Sequence, residues 1–411
     1  MKIVIETGVI GLARLFETAR TGIHRVISSL ALELLAFEEL DISFTALSSL
    51  QVNGLTDGYF SERGLGERAF PRSGFERLLL GAAYKGAGNV QDSLVRKILS
   101  RLYRMSLSRR IGKAADIFHS LYAPLPRFRP GCPPVRMLTV HDIIPLIHPE
   151  YFAEGFVDEF RPIVESFSPA RDFLFTISEC SKRDICTYFN MDPERVFVIP
   201  LAAAPDIFHH EEDLERREAI RKKYRIPEGR YLLTLATVEK RKNLDTAVAA
   251  FRAILEEPDC GDLSFVLVGT RGWKVREVIE RIESDPVLRE RIVFTGFVPD
   301  EELSALYSGA EMFLYLSLYE GFGLPPLEAM QCGVPVVASG TSSLPEVVGD
   351  AGILVDPLDR DAVSGAMLRM LRDEGLREEY RGKGLARSER FTWQRSAEVT
   401  AAGYRTAWEN R

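Results

Sequence analysis

Histidine and cysteine are scarce, with six and five among 411 residues. The histidines are scattered. Cys132, Cys180, Cys186, Cys260 and Cys332 form no pair with metal-ligand spacing. Little is therefore available for a metal centre built from these side chains, and the expected metal-ligand set is none. An odd, dispersed set of cysteines reads as reduced, mostly buried thiols in a cytoplasmic protein. Long apolar runs are lacking too. No stretch approaches the roughly 18–20 uninterrupted apolar residues that span a bilayer. The opening MKIVIETGVIGLARLF is broken by Glu6 and Arg14, so it reads as a first strand and not as a signal peptide. Nor is there an excess of positive charge: the formal net charge of −7 speaks against nucleic-acid binding.

What is present suits a soluble globular chain long enough for two or three domains, each with its own core. Its charge is uneven. Between Arg72 and Lys113 stand ten Lys/Arg against two Asp/Glu. Inside that segment DSLVRKILSRLYRM has helical period. Leu94, Val95, Ile98, Leu99, Leu102 and Met105 are expected on one side, with Arg96, Lys97, Arg101 and Arg104 on the other. Such a helix either packs on its own domain with a solvated basic face or lies on an anionic membrane surface. The flanking Arg109, Arg110 and Lys113 extend the charge over 91–113.

The second half alternates short β-rich runs with helical segments: YLLTLAT, SFVLVG, RIVFTG, MFLYLS, VPVVAS and GILV. Near-continuous apolar runs alternating with helices predict a parallel sheet covered on both faces. The first half repeats the scheme less cleanly with KIVIE, ISFTAL, ADIFHS, VRMLTV, FLFTIS and RVFVIP, and a long helix is expected after RTGIHR. The charged, turn-rich segment from Pro205 to Gly229 reads as a linker. The fold class is α/β, with two Rossmann-like doubly wound domains facing each other across a cleft. The first spans 1–205 and is joined by a C-terminal helix at 391–411; the second spans 206–390. Ligands of such sheets sit at the carboxyl ends of the strands.

The stretch LYEGFGLPPLEAMQCGVPVVAS places Glu320 and Glu328 on either side of a bend. MFLYLS predicts a strand. Gly321 and Gly323 let the backbone turn and approach a ligand. Pro325 and Pro326 suit a first helical turn, and Gly333 suits its end. Free amides at the helix start favour an anion such as phosphate. A carboxylate accepts two hydroxyl hydrogen bonds at once, which suits the vicinal diols of sugars and riboses. Glu328 alone could merely complement the helix dipole, but with the glycines, the prolines and Glu320 the pattern matches a sugar-diphosphate-ribose ligand. In VEKRKNLDTAVAAF, Arg241 and Lys242 fall in the turn after a strand. A KRKN run is usually a solvated face; beside the glutamate loop it offers two cations for a diphosphate leaving group.

These residues closely resemble the retaining GT-B glycosyltransferases of family 4. EGFGLPPLE matches that family's paired-glutamate motif and VEKRKNL its diphosphate loop. RTGIHRV, VHDIIPLIHPEYF and FTISECSKRDI are similar to the subgroup of bacterial O-antigen mannosyltransferases. The resemblance implies residue roles. Glu320 holds donor-sugar hydroxyls, and the amides of Phe322, Gly323 and Leu324 bind sugar and diphosphate. Glu328 holds the ribose, Arg241 and Lys242 the diphosphate, and the backbone at Phe297 and Val298 frames the base. His141, by itself more often a structural strand-end histidine, reaches the donor sugar near the reacting carbon. Gly22 and Ile23 let the first loop approach donor and acceptor, with Arg25 nearby. Two departures stand out: Thr237 where many relatives carry arginine, and LAAAP where Asn-Gly is usual.

The resemblance further implies hexose transfer, mannose from GDP-mannose being favoured, to a glycan or lipid-linked acceptor in lipopolysaccharide or related polysaccharide synthesis. No cofactor is expected beyond the nucleotide diphosphate sugar as substrate. The enzyme would be cytoplasmic, and peripheral at the inner membrane if 91–113 meets an anionic surface. LDRDA, with Asp359 and Asp361, resembles the metal motif of another glycosyltransferase fold, but helix capping explains it better. Rival readings are a sugar-nucleotide epimerase, a phosphorylase of the same fold (for which no pyridoxal phosphate lysine stands out), and a non-catalytic nucleotide-sugar-binding protein.

Overall fold

The computed structural model describes residues 1–16, 22–85, 94–128, 134–235, 239–269 and 276–411. It contains two six-stranded, all-parallel sheets. The first is built from β1 (Lys2–Glu6), β2 (Asp41–Thr45), β3 (Ile117–Ser120), β4 (Val135–Thr139), β5 (Phe173–Thr176) and β6 (Val196–Val198), in the order β2-β1-β3-β4-β5-β6. The second is built from β7 (Tyr231–Leu235), β8 (Ser264–Val268), β9 (Ile292–Gly296), β10 (Met312–Tyr315), β11 (Val336–Ser339) and β12 (Gly352–Val355), in the order β12-β11-β10-β7-β8-β9. Read from β9 to β12, this is the 3-2-1-4-5-6 order of dinucleotide-binding sheets. It is a GT-B architecture.

All twelve strands fall on the apolar runs expected to form them, because both faces of each sheet are covered. Along β10, Met312 and Leu314 enter one cluster while Phe313 and Tyr315 enter the opposite one. Along β1, Ile3 and Ile5 face one layer and Val4 the other. A residue on either face is thus removed from water, which erases the polar alternation of a half-exposed strand.

The last helix, Trp393–Glu409, follows the second sheet in sequence but packs on the first. Its Ala397, Ala401, Tyr404 and Ala407 lie in the same core cluster as Ile3, Phe173 and Phe175. A Cβ on Gly403 would meet the Phe175 ring at 2.6 Å, so the helix rests directly on that sheet.

Two details differ from the sequence reading. The segment expected as a plain linker holds a helix, Leu214–Lys223, whose N-terminal amides at Glu215 and Arg216 bond the Asp213 side chain. LERREAIRKK has no apolar stripe, so periodicity could not reveal it. The preceding Leu201–Ala204 run is buried against the second domain's core, so small side chains carry the chain between the domains.

The basic segment also turns another way. Among the described side chains of the helix Leu94–Ala114, Tyr103, Leu107 and Ile111 are buried. Ile98, Leu102 and Met105, which the packed reading places inside, are 49%, 42% and 46% exposed and share the surface with Arg101 and Arg104. Of the 91–113 segment, residues 91–93 and the side chains of Leu94, Val95 and Arg96 lie outside what the structure describes.

Candidate active site

The second sheet reverses its winding between β7 and β10, which are hydrogen-bonded neighbours. The loops leaving both strands at their carboxyl ends meet there. The loop after β7 carries Arg241 and Lys242 in a short 3-10 turn ending at Asn243, whose left-handed backbone (φ 52°) Asn tolerates. The loop after β10 carries Glu320. Its carboxylate lies 2.7 Å from Lys242 Nζ and 2.5 Å from Arg241 Nη1. Tyr315, at the end of β10, donates to Glu320 at 2.8 Å and accepts from Lys242 at 2.6 Å. Burial by itself would raise the Glu320 pKa, but the charges of Lys242 and Arg241 more than offset it and hold the carboxyl at about 2.

The glutamate loop is clamped from below. The Glu320 amide donates to Ser342 Oγ at 2.9 Å. Ser343 Oγ donates to the carbonyls of Glu320 and Phe322 at 2.8 and 2.6 Å. Gly323 has φ +132°, beyond what a side chain adopts easily, and opens the helix Leu324–Gln331. The amides of Phe322, Gly323 and Leu324 have no protein acceptor among the described residues, as an anion-binding helix start requires. The Phe322 side chain is buried against Phe391, so only its backbone is available. Pro325 and Pro326 occupy the first turn, and Gly333 (φ +72°) follows the helix.

Glu328 is the fifth residue of its helix, at the start of the second turn. It accepts from Tyr307 at 3.1 Å and pairs with Arg25 of the first domain at 3.4 Å. Burial dominates and raises its pKa to about 7, with Arg25 and Tyr307 opposing. Arg25 also reaches Asp300 at 3.2 Å. Gly22 faces Leu324, since a Cβ there would meet its methyl at 3.9 Å. In the chain just before Asp300, Phe297 is 75% exposed and Val298 is buried.

His141 follows β4 in the first domain; it is partly buried, with its Nε2 shielded from solvent. Burial lowers its pKa to about 4, so it is neutral at physiological pH. Together with Ile23, Tyr122, Asp142 and Arg241 it lines a cavity of about 180 Å³ between the domains. Two buried nitrogens of residues lining this cavity, His141 Nε2 and Arg241 Nε, have no partner among the described residues. A buried polar group left unpaired costs about 1–3 kcal/mol, so a site that keeps two such nitrogens is built for something else to meet them.

Asp142, Tyr315, Tyr307 and the Ser342–Ser343 pair escaped the sequence reading. Tyr315 carried a signal: a hydroxyl inside a strand buried on both faces must find a partner. Asp142 approaches from the other domain, and a Cβ on Gly321 would lie 2.6 Å from its Oδ2. Gly321 is therefore needed for this domain contact; of the two loop glycines only Gly323 has a positive φ. Thr237 lies outside the described residues. Asp359 caps its helix by accepting from the Ala362 amide at 2.9 Å.

The model for "Glycosyl transferases group 1" matches residues 216–386, which hold the whole glutamate loop and both cations. O-antigen chain mannosyltransferase B of Escherichia coli is 35% identical over 274 residues, covering 65% of this chain and 69% of that one. The chain belongs to the group 1 glycosyltransferases. These are the retaining enzymes of family 4, and the chain is a hexosyltransferase of that family. A serotype-specific mannosyltransferase of E. coli, WbdA, is 31% identical over 266 residues, but this chain covers only 32% of its length. In fold, the glycosyltransferase is similar to sucrose-phosphate synthase from Thermosynechococcus elongatus, with TM-score 0.67, 20% identity, and 100% and 99% of the two chains covered.

The two domains of this group 1 glycosyltransferase are latched at the cleft. Glu346 of the second domain accepts from the amides of Glu179 and Cys180 at 2.8 and 2.7 Å, capping the helix Glu179–Phe189 of the first. Ser181 Oγ donates to the Gly321 carbonyl at 3.2 Å, and Tyr319 to Asp184 at 2.8 Å.

Proposed function

We propose that the enzyme transfers mannose, with retention, from GDP-mannose to a glycan or lipid-linked acceptor in cell-surface polysaccharide synthesis. The observation that carries the chemistry is a pair of buried nitrogens without a partner among the described residues, His141 Nε2 and Arg241 Nε, on one cavity beside the Glu320 carboxylate. A donor diphosphate would share Arg241 and Lys242 with Glu320, which sets the positions of both cations. The amides of Phe322, Gly323 and Leu324 would complete the cradle. Leaving-group departure is the barrier, and preorganised positive charge lowers it without reorganisation. Glu320 would orient sugar hydroxyls, neutral His141 would bond the sugar near its anomeric carbon, and Glu328 would hold the ribose. Phe297 and Val298 would frame the base, while Gly22, Ile23 and Arg25 bring the first domain over the donor.

Mannose is favoured by the named relatives, O-antigen chain mannosyltransferase B and WbdA. No metal takes part in this reading, so activity should survive EDTA. A peripheral position at the inner membrane face is favoured by the exposed Ile98, Leu102 and Met105 among arginines. The deciding experiment incubates the protein with GDP-mannose and a mannosylated lipid-linked acceptor. GDP released only with acceptor, and an α-linked product by NMR, support the reading. GDP released equally without acceptor, or an inverted linkage, contradicts it.

A further inference from the structure

The first sheet also has a point where its winding reverses, between β1 and β3. Open α/β sheets bind ligands outside the carboxyl ends of their strands at such points. Here that position opens onto a groove of about 770 Å³. Leu47 and Ser48, just after β2, contribute to it, as does the Ala123–Arg127 loop after β3. One stripe of the basic helix completes it through Arg101, Arg104, Met105 and Arg109. Tyr122 joins the groove to the catalytic cavity: it lines the latter beside His141 and immediately precedes Ala123.

The charge in this groove is uncompensated. Arg101, Arg104, Arg109 and Arg127 have no carboxylate partner among the described residues. The neighbouring arginines that point elsewhere are neutralised: Arg110 by Glu76 at 2.5 Å, and Arg72 by Asp57. The acidic side chains of this region serve inner arginines and leave four guanidiniums on one concave surface of a chain whose net charge is −7. Guanidinium forks match phosphate oxygens bidentately. Between them lie Leu47, Met105 and Leu125, and along the same helix the apolar surface continues outward through Leu102 and Ile98.

We infer that this groove binds the phosphate or diphosphate of an acceptor in which that anion joins the glycan to an alkyl chain. The anion sits among the four arginines, the alkyl chain leaves along Met105, Leu102 and Ile98, and the glycan runs past Tyr122 toward His141. The inference rests on the transferase reading for the identity of the acceptor, but its anion chemistry stands on the groove alone.

The test titrates octyl diphosphate into the full chain by calorimetry and maps the site by hydrogen–deuterium exchange. R109Q/R127Q removes two exposed guanidiniums that lie outside the donor cradle. Wild type should bind, with protection in 101–109 and 121–127, and the double variant should bind about tenfold or more weakly. No binding, equal binding by the variant, or protection confined to 239–245 and 318–324 would overturn the inference. So would sedimentation with phosphatidylglycerol vesicles that R109Q/R127Q abolishes while octyl diphosphate affinity is untouched, since the groove would then serve the membrane surface. Octyl diphosphate held in the groove by an enzyme that releases no nucleoside diphosphate from any sugar donor would leave the groove standing and sink the transferase reading.

Discussion

The Arg25 guanidinium lies 3.4 Å from the Glu328 carboxylate, joining two domains across 303 residues of chain. Glu328 is nonetheless raised to about 7, because burial outweighs this ion pair. Ribose binding through an ionised Glu328 should therefore strengthen as pH rises through about 7. R25Q removes the opposing charge, so the acid limb of kcat/KM should move to higher pH. Profiles of both proteins between pH 5 and 9 check this. Superimposed limbs would detach Glu328 from donor binding.

The Glu346 latch bonds two amides across the cleft, and hydrogen bonds to a charged acceptor contribute about 1.5–3 kcal/mol each. E346A should open the domains more often, admitting water. The expected outcome is a lower kcat with a larger fraction of donor lost to hydrolysis, read as the ratio of free hexose to glycoside. An unchanged ratio would reduce Glu346 to a surface charge.

Glu6, at the end of β1, is buried, and that burial raises it from 4.5 to about 7 although the Leu47 and Gly8 amides oppose the shift. The folded protein holds this proton more tightly than the unfolded chain does. Stability should thus fall as pH climbs from 4.5 through 7, by about 3 kcal/mol if this group acted alone. E6Q cannot ionise, so it should flatten that part of the curve. Urea melts at pH 5, 6, 7 and 8 check the slopes.

The basic helix presents apolar and cationic side chains together, which suits an anionic bilayer. Replacing Arg96, Lys97, Arg101 and Arg104 with glutamine should abolish sedimentation with phosphatidylglycerol vesicles and leave neutral vesicles unaffected. Unchanged sedimentation would remove the membrane from the account.

Much of this architecture was legible in the residues. Strands buried on both faces read as plain apolar runs, and SFVLVG or MFLYLS need no period to be recognised. The Glu320 loop announced itself through two glycines and two prolines, whose backbone demands are local. The parts that escaped depend on distant partners. The buried face of the basic helix is set by Tyr103, Leu107 and Ile111 meeting the first core, and an apolar count over 94–105 favoured the opposite face. The Leu214–Lys223 helix is held by a cap and has no apolar stripe. The Asp142 approach to Gly321 and the Glu346 cap on Cys180 join segments more than 160 residues apart, and neither end carries a local mark of the other.

The central claim is that Arg241, Lys242 and Glu320 form the donor cradle at the reversal point between β7 and β10. A crystal structure of the enzyme with GDP-mannose tests it most directly. The account predicts the diphosphate within hydrogen-bonding distance of Arg241, Lys242 and the Gly323 amide, with sugar hydroxyls on Glu320. A diphosphate bound elsewhere, with Glu320 and Lys242 facing away from the sugar, would contradict it.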